Sequence, residues 1–195
     1  MEEKNGLILD GATDLGPDTG RAGGFAAGVL RDRGWRVDRL ALAEVEIAPC
    51  LGCFGCWVKT PGVCVIDDAG REVASQMIRS ALLVFLTPLT FGGYSSELKK
   101  AIDRAIPNIL PHFRLVRGEV HHRRRYPRAP RLLGVGVIER GPVDPDEEEL
   151  LETLIHRNAI NFHAPSDGSC VVARSDDDES AHRAIERAVG RVIGS

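Results

Sequence analysis

Apolar residues in this chain come in short unbroken runs, separated by stretches of helical spacing. Gly6 to Asp10 (GLILD) is a short apolar run ending in a polar, Gly-rich loop, and it reads as a strand buried on both faces. From Thr19 to Arg33, the residues Phe25, Val29 and Leu30 mark one helical face, and Gly34 stands where a helix-ending glycine belongs. Trp35 to Leu40 (WRVDRL) alternates and predicts a second strand. Asp67 or Asp68 is placed to cap a helix reaching about Arg79, with Val73, Met77 and Ile78 inward. Leu82 to Thr87 (LLVFLT) is the strongest strand signal. Ser95 or Ser96 then caps a helix whose stripe is Leu98, Ile102 and Ile106. Leu132 to Ile138 predicts a fourth strand and Ser169 to Ala173 a fifth. Two more helices complete the pattern: Pro145 to Phe162, opened by Asp146 to Glu149, and Asp178 to Val192, with Ala181, Ile185, Ala188 and Val192 inward.

Five short strands alternating with helices predict an α/β chain with an open, doubly wound parallel sheet between two helical layers. The expectation is one domain over 1–195, with a cysteine-rich insertion at 49–64 and a basic one at 114–131. In such sheets ligands bind beyond the carboxyl ends of the strands, where strand order reverses. The loops after the first three strands are therefore the candidate sites.

Composition narrows the function classes. The chain has 195 residues and a net charge of −3, which does not indicate a nucleic-acid footprint. The longest apolar run, Ala81 to Phe91, is too short to span a bilayer and contains Pro88. The N-terminus lacks the basic start and longer apolar stretch of a secretory signal. A cytoplasmic protein is expected, in which clustered cysteines stay reduced and more often bind metal or do redox work than form disulfides.

The loop after the third strand reads TPLTFGGYSSELKKAIDR, Thr87 to Arg104. Pro88 stiffens the turn, Gly92 and Gly93 let backbone N–H groups approach a planar ligand, and Phe91 and Tyr94 offer apolar walls. This stretch resembles the flavodoxin-like NAD(P)H-dependent FMN reductases, which carry a TP-x-x-F/Y-x-G…LK-x-x-x-DR pattern here. The resemblance implies a flavodoxin-like fold, FMN as cofactor, NAD(P)H as co-substrate, and a flavin-ring site over Thr87, Pro88, Leu89, Thr90, Phe91, Gly92, Gly93 and Tyr94. It also implies that the first loop holds the FMN phosphate, through Gly11, Ala12, Thr13 and Thr19. There the chain departs from the family: Asp14 stands where arginine is common, and Asp18 where asparagine or serine is common. Two carboxylates oppose a phosphate dianion, although Asp18 also suits a plain helix cap.

The second loop holds four of the five cysteines, in PCLGCFGCWVKTPGVC. Cys50, Cys53 and Cys56 are two residues apart and Cys64 follows after seven. Thiolates so spaced can wrap one iron–sulfur cubane, with Gly52 and Gly55 allowing tight turns and Pro61-Gly62 returning the chain for Cys64. The residues alone leave zinc, a Cys53/Cys56 dithiol and simple buried thiols open. The motif is similar to that of the iron–sulfur flavoprotein branch of the same superfamily, which implies a [4Fe–4S] cluster on Cys50, Cys53, Cys56 and Cys64 near the flavin. Cys170, on the fifth strand, reads as a core thiol.

The basic stretch RLVRGEVHHRRRYPRAPR reads as a surface loop, a subunit interface or a clamp for nucleotide phosphates. The function expected is NAD(P)H-driven flavin oxidoreduction. Electrons would go to a small-molecule or protein acceptor, in a homo-oligomer that engages neither nucleic acid nor membrane. Two alternatives stand beside it: a flavodoxin-type carrier that does not use NAD(P)H, and an FMN-free domain sensing redox state or metal.

Overall fold

A computed structural model of the chain describes residues 4–13, 18–89, 92–116, 118–139 and 141–194. Strand β1 (Asn5–Asp10) is followed by helix α1 (Gly20–Asp32), and β2 (Arg36–Ala41) by the cysteine loop. That loop contains a one-turn helix, α2 (Gly55–Val58). Then come α3 (Ala69–Arg79), β3 (Leu82–Pro88) and α4 (Ser96–Asp103). Strands β4 (Ile109–Val116) and β5 (Glu119–Arg124) precede β6 (Arg131–Ile138), α5 (Pro145–Phe162), β7 (Asp167–Ala173) and α6 (Asp178–Ile193).

The main sheet has the order β2-β1-β3-β6-β7, and every neighbouring pair is parallel. Register follows the apolar runs: Leu7 pairs with Leu83, and Val84 with Leu133. Both faces are covered, so the strands need apolar residues at successive positions. On one face Ile8, Val84, Leu133 and Val135 meet Leu30 of α1 and Ile185 and Val189 of α6. On the other Leu7, Leu9, Leu83 and Phe85 meet Val73 and Met77 of α3, Leu98 of α4, and Leu151 and Ile155 of α5. This is the doubly wound, flavodoxin-like arrangement expected from the sequence.

Two features differ from the sequence reading. The basic segment is not a loop: much of it lies in an antiparallel hairpin of β4 and β5, pairing Phe113 with His122 and Leu115 with Val120. Its arginines and histidines hide the alternation that marks a strand, so composition obscured a period of two. The second feature is α2, which begins between Cys53 and Cys56, where the sequence suggested no helix start. Smaller shifts follow tertiary packing. Ala74, rather than Ile78, joins Val73 and Met77 in the buried stripe of α3, and Ile106 lies in a 3-10 turn after α4.

Among the described residues no helix is long and apolar enough to cross a membrane.

Candidate functional site

The strand order places β1 and β3 side by side with their connections leaving in opposite directions, which makes their carboxyl ends the switch point. The two loops meet there. Gly11 N–H donates to Leu86 C=O at 2.8 Å. A Cβ on Gly11 would stand 2.5 Å from Ser95 Oγ and 2.8 Å from Leu98 Cβ, so only glycine lets the loops come this close.

The β3 loop is held by its own polar side chains. Thr87 is fully buried, and its hydroxyl accepts from Ser95 N–H at 2.9 Å while donating to Pro88 C=O at 2.9 Å. Ser95 Oγ in turn caps α4, accepting from Leu98 N–H at 3.3 Å. Leu89 is buried, and its N–H donates to Val137 C=O at 2.9 Å. Gly92 has φ +72°, a left-handed backbone that suits glycine. Tyr94 is turned onto the core: its ring meets Phe85 edge-on at 6.1 Å and its hydroxyl accepts from Asn158 Nδ2 at 3.0 Å. Burial pushes the Tyr94 pKa up to about 12, against the lowering effect of Asn158. Thr90, Phe91 and Asp14 lie outside the described residues.

At the other end of the site, polar groups satisfy one another. Asp10, buried at the end of β1, accepts from Ala12 N–H at 3.1 Å, Thr19 Oγ1 at 2.6 Å and Arg39 Nε at 3.0 Å. Asp18 Oδ1 accepts from Gly20 N–H at 2.7 Å. Arg21 is drawn away to the end of β7, donating to Ala173 and Asp176 carbonyls at 3.1 and 2.7 Å. At the ring end the β3 loop is locked in place, and Gly92 itself is buried, with Leu150 Cδ2 of α5 2.5 Å from where a Cβ would stand. At the phosphate end, Thr19 and the Ala12 and Gly20 N–H groups already have carboxylate acceptors. Asp10 and Arg39 were not singled out from sequence; a carboxylate ending an apolar run was the available signal.

The cysteine loop is clasped at its neck. Asp68 and Arg104 form a two-armed ion pair, Oδ1 to Nη2 at 2.7 Å and Oδ2 to Nη1 at 2.8 Å, with Arg104 only 1% exposed. Asp68 Oδ2 also accepts from Ala48 N–H at 2.9 Å and Oδ1 from Gly70 N–H at 2.9 Å. Arg104 donates to the Ala48 and Ile66 carbonyls at 2.7 and 3.3 Å. One pair thus ties both sides of the loop to α3 and to the end of α4. The Arg104 hydrogen bond holds Asp68 below its ordinary carboxylate range. Asp68 raises the Arg104 pKa in turn against the cost of burial, and the charge of Cys64 adds to that.

Beyond the neck, the cysteine-bearing part is drawn toward the hairpin. Trp57 Nε1 donates to Ile109 C=O at 3.1 Å, and the rings of Phe54, Trp57, His122 and Phe113 follow one another at 5.0, 4.9 and 4.6 Å. Gly62 N–H donates to Cys56 C=O at 2.9 Å, which turns the chain back as Pro61-Gly62 implied. Cys50 and Cys53 are exposed, Cys64 half-buried and Cys56 buried. Burial raises the Cys56 pKa first, and the charges of Cys64, Cys50 and Cys53 add to it. Among the described residues no three His, Cys, Asp or Glu side chains already converge as a metal site. The donor chemistry fits an iron–sulfur group nonetheless: four free thiols share one loop, and the Nε of Arg104 is a buried donor without a partner among the described residues. Among the described residues no hydrogen bond joins 50–64 to 87–95. α4, with eight residues and so about 12 Å long, carries the β3 loop at its start and the clasp beyond its end.

Residues 7–120 match the family described as NADPH-dependent FMN reductase. The chain belongs to that family. The chain is similar in sequence to two iron–sulfur flavoproteins: one from Methanosarcina thermophila is 29% identical over 98 residues, half of each chain. Another, from Methanocaldococcus jannaschii, is 33% identical over 82 residues, 42% of each. The chain thus spans about half the length of the curated relatives it matches. The solved NAD(P)H:quinone oxidoreductase of Methanothermobacter marburgensis is 12% identical, with a TM-score of 0.68 over 95% of both chains, which shows the shared fold. Within this FMN reductase family member the match runs through the β1 loop, the cysteine loop, the β3 loop and most of the hairpin.

Proposed function

We propose that the protein is a flavin-dependent oxidoreductase that takes reducing equivalents from NAD(P)H and passes them to a small-molecule or protein acceptor. The cysteine loop serves as a [4Fe–4S] site. The observation that carries the first part is the junction of the β1 and β3 loops at the switch point, where Gly11 packs on Ser95 and donates to Leu86 C=O. Family membership supports the same reading.

A bound flavin supplies hydride and single-electron chemistry that no side chain provides. The chain's contribution is position. Thr87 and Ser95 lock the β3 loop, and Gly11 brings the second loop against the first. At the second site Cys50, Cys53, Cys56 and Cys64 are the ligands, on a loop whose neck Asp68 and Arg104 hold closed. The face of the hairpin away from α5 exposes Phe113, Leu115 and Val120, and we read it as the surface by which copies of this chain associate.

The inward-turned donors around Asp10 and Asp18 favour one rival reading, a domain that no longer holds FMN and senses redox state through its thiols. The visible spectrum of protein purified without oxygen decides between them. Flavin bands bleached by NADH or NADPH are expected, with a broad iron–sulfur shoulder. Protein that takes up no flavin on reconstitution overturns the oxidoreductase reading.

A further inference from the structure

Arg104 has five N–H donors and four are accounted for. Nη1 serves Asp68 Oδ2 and Ala48 C=O, and Nη2 serves Asp68 Oδ1 and Ile66 C=O. The fifth, on Nε, is buried and has no hydrogen-bond partner among the described residues. A buried unpaired donor on a guanidinium is costly and calls for an acceptor. Cys64 is close by: Nη2 holds the carbonyl of Ile66, two residues on, the Cys64 carbonyl accepts from Arg71 Nε at 2.8 Å, and the Cys64 thiol acts on the guanidinium by charge. The two Nη atoms are committed to Asp68 and to the Ala48 and Ile66 carbonyls, which leaves Nε to serve a further acceptor.

From this geometry we propose that Arg104 is a positioning residue for the cysteine site, its Nε–H donating to the Cys64 sulfur when that sulfur is a cluster ligand. The proposal rests on the iron–sulfur reading of the loop. Its physical content is that a hydrogen bond to a ligand sulfur withdraws electron density and stabilises the reduced cluster, one of the main ways a protein sets a cluster's potential. The same clasp that closes the loop would therefore also tune it. The exposed Cys50 and Cys53 have no comparable buried donor among the described residues.

The test compares wild type, R104K and D68N after anaerobic reconstitution with iron and sulfide. The readouts are iron and sulfide per chain and the midpoint potential by redox titration. Lysine keeps the positive charge but lacks the Nε–H of the fork. The D68N substitution loosens the clasp and leaves all five donors of Arg104. The expected result is a loaded R104K whose reduction equilibrium is about tenfold less favourable, a fall of about 59 mV for one electron, with D68N close to wild type. If R104K fails to load while D68N loads normally, the contact matters for assembly and the proposal stands. Equal potentials in R104K and wild type, or matching losses in R104K and D68N, overturn it by reducing Arg104 to a strap. Wild type that takes up no iron and sulfide is a separate result: it sinks the cluster reading, and the proposal with it.

Discussion

The hydroxyl of Thr19 donates to Oδ1 of Asp10 at 2.6 Å, inside the loop for which the sequence resemblance implies an FMN phosphate. Arg39 steadies the same carboxylate, and Asp18 takes the Gly20 N–H at the start of α1. A dianion there meets carboxylates where it needs donors. FMN and riboflavin should therefore bind with dissociation constants within roughly tenfold of each other. D18N should tighten FMN by roughly threefold to fivefold at low salt, and leave riboflavin unchanged, because one nearby like charge is removed. Fluorescence quenching titrations of both flavins measure this. FMN binding that is unchanged or weaker in D18N refutes it.

The Asp68–Arg104 clasp predicts an acid limb in stability. The carboxyl of Asp68 is held below its ordinary value of 3.8, chiefly by the Arg104 hydrogen bond. Its contribution is thus complete above that value and is lost as pH falls through the depressed one. Removing one partner of a buried pair costs about 3–5 kcal/mol, and D68N, which keeps the shape, should fall near the low end. Urea unfolding of wild type and D68N between about pH 3 and pH 7 should show a gap that is constant above about pH 5 and narrows below about pH 4. A gap that does not change with pH would show that the charge is not what stabilises.

Cysteine reactivity should follow burial. Cys50 and Cys53 are exposed, whereas Cys170 is 5% exposed on β7 and burial pushes its pKa up to about 12. Reactivity requires an accessible thiolate. In reduced, metal-free protein at about pH 8, iodoacetamide should label Cys50 and Cys53 first, with Cys56 slower and Cys170 only after unfolding. Peptide mass spectrometry reads the order. Labelling of native Cys170 within roughly tenfold of the Cys50 rate would contradict the buried placement.

Tyr94 should ionise late. Its pKa is pushed up to about 12 by burial on the core side of the β3 loop, and the Asn158 donor pulls it back. With Tyr126 replaced in Y126F, phenolate absorbance at about 295 nm should stay flat through about pH 11. N158L should move the step higher still, since a donor to the phenolate oxygen is lost. A step near the ordinary value of about 10 would mean that the ring faces solvent and is free to wall a ligand.

The parts of the fold readable from sequence are those whose signal is local. Leu82 to Thr87 is apolar at five of six positions because both faces of β3 are covered. Ser95 was legible as a cap because capping is a contact between near neighbours, here Ser95 Oγ and Leu98 N–H. The same holds for Asp68 before Gly70. Cys50, Cys53, Cys56 and Cys64 were legible as a set through spacing alone. The hairpin was not legible, because Arg114, His121, Arg123 and Arg124 dilute its alternation, and it is stabilised by contacts far along the chain. His121, for example, meets Asn161 of α5 at 3.1 Å.

By itself, the sequence determined the βα alternation, the doubly wound class, the family resemblance and the two loops worth examining, since each is written in short-range pattern and composition. Only the tertiary structure decided what those loops do with their polar groups. Asp10 turns Thr19, Ala12 and Arg39 inward, across gaps of up to 29 residues. Arg104 reaches back 36 residues to Asp68 and becomes both the clasp of the cysteine loop and the neighbour of Cys64. The reason is physical. Propensity and periodicity act over one or two turns of chain, whereas a buried charge takes its partner from whatever the packed fold brings within about 3 Å.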